Sequence, residues 1–340
     1  MIRAALRDLQ WRRKRFVIAM AGVALVFAMG LIMTGLDESF SLEVDRTLEA
    51  VGAQAWAVSD QASGPFTSFT PIVETAGGAN AAPVLVLRQT IVAHEVVDLV
   101  VLGVEPGRLG SPTDVDGSRL AESGQVVVDE ALDGVDVGDT LSIGGRTLQV
   151  VGTVSGQRLF AGLPVAYITL TDAQAIATQG QPAATAFLFD QMPTTEPAGL
   201  KLMTNADVKD DVLRPLGDAR KSISFVRFLL WIVAATIIGS VLYLQAMERT
   251  RDFAVFKATG TSTAAIGVGL ALQAVVLSLA AAALAAVLAL ALAPMFPMHV
   301  EIPTSAFLLL PVVTVVVGLL ASLIALHRTA TVEPAMAFGG

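Results

Sequence analysis

FVIAMAGVALVFAMGLIMTGL, residues 16–36, runs for 21 positions without a charged side chain. About 20 such residues are what an α-helix needs to cross the hydrocarbon of a bilayer. Three further apolar runs crowd the other end of the chain, at 224–247, 264–296 and 306–326. Between the first and second runs lies a polar, acidic block, 37–223. The pattern predicts a membrane protein of four transmembrane α-helices in a 1+3 layout, with a large α+β extracytoplasmic domain between the first and the second. A secretory signal peptide does not fit the first run, because its apolar region is normally about 7–15 residues long.

Composition agrees. Hydrophobic residues make up 54% of the chain and charged residues 15%, against about 25% charged in a soluble domain. The charges are segregated. Residues 1–15 carry six Arg and Lys and one acid, whereas 37–223 carry 11 basic and 25 acidic side chains, a net of −14. An acidic domain of that size repels phosphate, so nucleic acid is excluded as a partner.

Orientation follows from the basic residues beside the spans. The N-terminal segment holds six; 248–263, between the second and third spans, holds Arg249, Arg251 and Lys257; the tail, 327–340, holds Arg328; the loop 297–305 holds none. Both termini are therefore expected in the cytoplasm, with 37–223 and 297–305 outside. In 1–15, Ile2, Ala5, Leu6 and Leu9 recur at helical spacing and, with Trp11, suit a segment lying in membrane lipid at the inner interface. A plain basic tail reads equally well. The chain has no Cys, which fits an exterior domain held by its core.

Within 37–223, residues 39–51 continue helically out of the first span. Short β-branched runs follow, and Gly144-Gly145 between two of them predicts a hairpin. Residues 60–82, rich in Gly, Pro, Ser and Thr, read as a mobile loop. Residues 206–222 read as a helix feeding the second span despite Pro215. Both ends of the domain are thus expected to stand on helical stalks.

The chemistry is largely one of exclusions. No Gly-Lys dipeptide occurs, so the chain has no phosphate-binding loop and is expected to hold no cofactor and to be no enzyme. Ser155-Gly156-Gln157 reads as a turn. His94, His299 and His327 are too scattered to bind a metal, and no catalytic residue is assigned. The central parts of the spans contain no Asp, Glu or Lys, which disfavours an ion-driven transporter. Gln245 and Gln273 are the notable polar residues there, and Gln273 is assigned to interhelical packing.

The sharpest local feature is ERTRDFAVFKATGTS, residues 248–262, between the second and third spans. Phe253 and Phe256 share a helical face, Glu248 and Arg251 can pair at i, i+3, and Gly260 suits a helix stop. An aromatic ridge ringed by Glu248, Arg249, Arg251, Asp252 and Lys257 is the chemistry of a helix that fills a partner's groove.

This segment resembles the Glu-Arg-x-x-Glu-Phe-Ala-x-Leu-Lys-Ala-x-Gly-Ala-Ser stretch of FtsX-like/MacB-type (type VII) ABC transporter permeases, with Asp252 for Glu and Thr261 for Ala. Val332-Glu333-Pro334-Ala335-Met336-Ala337 is similar to the family's terminal Asp-Pro-Ala-Glu-Ala-Leu. Residues 102–106, 124–129, 137–141 and 150–154 resemble its periplasmic core domain, and the opening looks like that of DevC-type exporters. The resemblance implies a permease subunit in the bacterial cell membrane, working as a homodimer with a separate ABC ATPase that carries the ATP and Mg. Residues 248–263 would be the coupling helix, and an extracytoplasmic protein partner is implied. Export and mechanotransmission are both family activities. An FtsX-like regulator that activates an extracytoplasmic cell-wall hydrolase is the alternative. A signalling receptor is a third class; it would need a cytoplasmic output domain, and the inner segments 1–15, 248–263 and 327–340 are each short.

Overall fold

The computed structural model describes residues 13–248, 250, 254–255, 259–296 and 300–330. It divides into two compact units: a membrane unit of residues 1–38 and 220–340, and an outer unit, Ser39–Ala219. Both boundaries fall inside or beside long helices.

In the membrane unit, α1 (Arg13–Val51) is the first helix among the described residues. Four helices among the described residues are long and apolar enough to cross a membrane. A helix apolar on every side has nowhere to expose a polar stripe and belongs in lipid. Its core brings together Val23, Phe27 and Leu31 with Ala234, Ile238 and Leu242, and Ala274, Ala281 and Ala285 with Leu310, Val317 and Ala321. The two last helices, 263–292 and 304–330, pack along their lengths. Small residues allow it: a Cβ added at Gly318 would lie 2.2 Å from the Ser278 hydroxyl oxygen and 3.2 Å from the Ala274 carbonyl oxygen.

The outer unit is one mixed sheet with helices against it. Its strands are β1 (Ala55–Ser59), β2 (Ile72–Val73), β3 (Ala82–Val92), β4 (Val96–Val104), β5 (Asp116–Gly117) and β6 (Gln125–Asp129). There follow β7 (Thr140–Ile143), β8 (Arg146–Val154), β9 (Arg158–Leu159), β10 (Leu163–Thr169), β11 (Ala183–Ala184), β12 (Ala186–Phe189) and β13 (Leu200–Thr204). The order is β13-β1-β12-β3-β4-β10-β6-β8-β5, with β7 on β8 and β9 on β10, while β2 and β11 form a separate pair. Pairing is antiparallel except for β10 with β4 and β6 with β8. Helix α2 (Leu170–Ala177) packs on β3, β4 and β10. A Cβ at Gly103 would meet Ala173 Cβ at 2.2 Å, so glycine there lets helix and sheet approach.

Local chemistry explains the turns. Gly144 and Gly145 adopt φ of 56° and 80° and close the β7–β8 hairpin with Ile143 opposite Arg146, as a primed turn requires. After β13, Thr204 and Asp207 form a reciprocal capping box that starts α3 (Asn205–Leu213) and satisfies two otherwise unpaired N–H groups. Trp56, fully buried, donates its indole N–H to Asn205 Oδ1 at 2.9 Å. Pro215, which lacks an N–H, ends the α-helical ladder: a 3-10 turn, Arg214–Leu216, intervenes before α4 (Gly217–Glu248). The continuous helix expected over 206–222 is therefore two helices. Helices α5 (Thr263–Leu292) and α6 (Thr304–Ala330) complete the chain order.

Residues 60–82 differ from the mobile loop expected. They contain β2 and a 3-10 turn, Glu74–Gly77, and they are pinned by the fully buried Asp211 on α3. Its carboxylate accepts from the Phe66 N–H at 3.1 Å, the Thr67 N–H at 3.2 Å and the Thr67 hydroxyl. Hydrogen bonds to a charged group contribute about 1.5–3 kcal/mol each. Asp211→Ala should release the loop: cleavage by chymotrypsin at Phe66 and Phe69 in the full chain should accelerate roughly thirtyfold, equivalent to about 2 kcal/mol. An unchanged cleavage rate would show that other contacts hold the loop.

Candidate functional site

The segment between the second and third spans begins at the end of α4. Glu248, the last described residue of α4, is exposed. Arg249, Arg251, Asp252, Phe253, Phe256 and Lys257 lie outside the described residues. Of their neighbours, Thr250, Ala254 and Val255 are helical, with Ala254 buried and Val255 exposed. The Thr250 hydroxyl donates to the Met247 carbonyl at 2.7 Å. The Thr259 N–H donates to the Val255 carbonyl at 2.9 Å, and Gly260 turns the chain with φ of 90°. Ser262 then caps α5, its hydroxyl accepting the Ala265 N–H at 3.2 Å. Within the bundle, Gln273 is buried on α5 and Gln245 on α4. Gln245 Oε1 and Ser278 Oγ have no hydrogen-bond partner among the described residues.

The outer unit carries charge clusters that spacing in the sequence does not reveal. Asp129, fully buried at the end of β6, accepts from the Gln157 N–H at 2.7 Å and pairs with Arg158 Nε at 3.1 Å. Gln157 in turn accepts the buried Tyr167 hydroxyl. Ser155-Gly156-Gln157 is thus a turn that delivers Gln157 and Arg158 to Asp129. Asp172, the third residue of α2, pairs with Arg146 at 2.8 Å. Burial raises its pKa, but the Gly124 N–H, the Ser123 and Thr169 hydroxyls and Arg146 outweigh burial and hold it below the ordinary carboxylate value.

Glu43 is the exception. It lies on the part of α1 within the outer unit and is 5% exposed. One carboxyl oxygen, Oε2, has no hydrogen-bond partner among the described residues, while the carboxyl accepts the Gly162 N–H. That N–H belongs to a turn of unusual backbone: Phe160, Ala161 and Gly162 have φ of 51°, 66° and 102°. Non-glycine residues seldom adopt this left-handed conformation. One helical turn on, the Thr47 hydroxyl lies 3.0 Å from the Arg158 carbonyl oxygen. Burial pushes the Glu43 carboxyl up to about 7, against the pull of Arg158.

These clusters tie together segments of the outer unit that are distant in sequence. Among the described residues no group of three or more His, Asp and Glu is placed to hold a metal. An open groove of about 560 Å³ lies over β3, lined by Phe66, Phe69, Arg88 and Pro215 among others. The Arg88 guanidinium stacks 3.7 Å from the Phe160 ring centre.

Comparison with known proteins decides the assignment. The model of the MacB-like periplasmic core domain matches residues 17–198, and that of the FtsX-like permease C-terminal domain matches 224–334. The chain belongs to the MacB/FtsX-type ABC transporter permease family. It is 43% identical, over the full length of both chains, to an uncharacterized ABC transporter permease of Mycobacterium bovis. It is 41% identical, again over both full lengths, to another from Mycobacterium tuberculosis. Among solved structures, the periplasmic region of MacB from Actinobacillus actinomycetemcomitans covers 50% of this chain and 97% of its own, at 13% identity and a TM-score of 0.34. The permease is a membrane-embedded transporter component, and family membership implies an ATPase partner subunit.

Glu43 sets a pH dependence in this permease. Its folded-state pKa of about 7 exceeds the ordinary 4.5, so the folded state binds more protons between those values and stability falls as pH rises through that window. Glu43→Gln keeps the shape of the protonated form. The variant should match the parent below about pH 4 and unfold at higher temperature at pH 8, by about 2–4 °C per kcal/mol relieved in a unit of this size. Parallel pH profiles of the two thermal transitions would refute the assignment.

Proposed function

We propose that this chain is the permease subunit of a bacterial cell-membrane ABC system, and that it converts ATP hydrolysis on a separate ATPase into movement of the outer unit. The observation that carries the reading is the domain order on one chain: a periplasmic core domain match at 17–198 followed by an FtsX-like permease match at 224–334. ATP and Mg sit on the partner, and the permease holds no cofactor. Both termini face the cytoplasm, the outer unit faces the exterior, and two permease copies assemble with the ATPase.

Residues 248–263 form the coupling helix. Phe253 and Phe256 anchor it, and Glu248, Arg249, Arg251, Asp252 and Lys257 set register and encounter rate more than affinity. Motion at this segment enters α4, which is described as far as Glu248. An extracytoplasmic protein partner receives the movement. The apolar spans offer no polar pathway for a hydrophilic substrate, which favours mechanotransmission or extrusion from the outer face. Activation of a cell-wall hydrolase is the second reading; the length of the outer unit, Ser39–Ala219, favours the exporter.

Truncating a buried aromatic anchor costs about 2 kcal/mol or more. Phe253→Ala with Phe256→Ala should leave membrane insertion intact and abolish co-purification of the ATPase. Retained ATPase with normal coupled turnover would remove the coupling assignment. A reporter fused at Gly117 should behave as external and one at Thr259 as cytoplasmic; a cytoplasmic signal at Gly117 would overturn the topology.

A further inference from the structure

The membrane unit contains a cleft of about 200 Å³ whose wall is apolar apart from two side chains, Arg227 and Thr34. Phe27 and Gly30 contribute from α1, Trp231 from α4 and Leu310 from α6. Arg227 is only partly exposed, and its Nη1 donates to Thr34 Oγ1 at 3.3 Å. Among the described residues no carboxylate lies within ion-pair distance of it. The nearest ion pair in sequence is Arg220 with Asp37, Nε to Oδ1 at 2.7 Å, two helical turns further out.

Depth places this cation. Arg227 and Glu248 bound a charge-free stretch of α4 whose length, at 1.5 Å per residue, is about 32 Å. That is the thickness of the hydrocarbon core, about 30 Å. With Glu248 at one boundary, Arg227 stands at the other, at the level of the phosphates. Trp231, one turn deeper, is the residue type that favours this interface. The cleft extends inward from there: Thr34, Gly30 and Phe27 step down α1 by about 10 Å in all.

A cation over an apolar slot needs an anion carrying a hydrocarbon tail. A second copy of this chain does not provide one through its spans, because 16–36, 224–247, 264–296 and 306–326 contain no Asp or Glu. We propose that the cleft between α1, α4 and α6 is a binding site for one anionic phospholipid of the leaflet at the outer-unit end of the spans. Arg227 holds the phosphate, and an acyl chain lies along Trp231, Gly30 and Phe27. The site ties the outer ends of three spans to lipid composition. It does not depend on the coupling assignment, since lipid retention is read without the ATPase.

Native mass spectrometry of the full permease, released from nanodiscs of equal phosphatidylglycerol and phosphatidylcholine, tests the site. One phosphatidylglycerol should be retained preferentially. Arg227→Gln should lower that preference roughly fivefold, the contribution of one basic side chain at an anionic surface, and Arg227→Lys should keep most of it. Gly30→Leu provides an uncharged arm. A Cβ at Gly30 meets nothing closer than Trp231 Nε1 at 4.0 Å, so the longer side chain fills the slot without displacing the helix, and it should expel the lipid with Arg227 intact. Thermal unfolding of each variant confirms folding. Equal retention of the two lipids, or retention unchanged in both Arg227→Gln and Gly30→Leu, overturns the proposal. So does efficient disulfide linkage of two copies through Leu309→Cys, a position lining the cleft in a chain without cysteine, because a second permease would then cover it.

Discussion

Hydrocarbon provides no partner for a backbone N–H or C=O, so every crossing segment must satisfy its own. The rest of the permease follows from that constraint. The spans are helices because nothing else closes its hydrogen bonds locally. They are apolar all round because lipid and neighbouring helices make the same demand. Without a hydrophobic drive between them, they associate by close approach. That is why alanine recurs at 274, 281 and 285 and why Gly318 faces Ser278 with no room for a Cβ. Side-chain polarity within the spans is then sparse: buried Gln245 and Gln273, and small groups such as Thr314, whose hydroxyl donates to the Pro311 carbonyl at 3.0 Å and returns a bond near the proline.

Outside the membrane the problem inverts. The outer unit carries a large excess of acid, and a sheet with apolar residues on its covered face must exclude most of that charge. The acids it does bury are there because they tie segments distant in sequence. Asp129 gathers Gln157 and Arg158, Asp172 gathers Gly124 and Arg146, and Asp211 gathers Phe66 and Thr67. Each replaces lost water with several donors, which is the condition for burying a charge at tolerable cost.

The coarse architecture was legible because it rests on period and length. Four apolar runs, a basic start and an acidic block specify spans and an outer domain without any tertiary information. The Gly144-Gly145 turn was legible for the same reason: its backbone chemistry is local. The buried carboxylates were not. Nothing about Asp211 in sequence distinguishes it from Asp210, which is exposed; only the fold brings Phe66 and Thr67 to one of them. The loop 60–82 therefore reads as mobile from composition, although its hydrogen bonds come from a helix more than a hundred residues away. Pro215 carried a usable signal, since a residue without an N–H interrupts the ladder, and the two-helix arrangement could have been read from it. The segment 248–263 is a motif of composition and spacing, and most of its aromatic and charged residues lie outside the described ones.

Glu43 shows the limit of a rule that treats buried charges alike. The three buried aspartates each gain two or more donors, and their carboxylates stay within reach of a guanidinium. Glu43 has Arg158 nearby, but Arg158 is already committed to Asp129, so the attraction is shared and burial prevails. One oxygen is then left without a donor, and the donor the carboxyl does find, the Gly162 N–H, comes from a turn held at three successive positive φ values. An unsatisfied oxygen and a strained turn both add cost at the same contact. The junction of the α1 extension with the β9–β10 turn is therefore a weakly committed polar contact, and protonation of a single side chain relieves it.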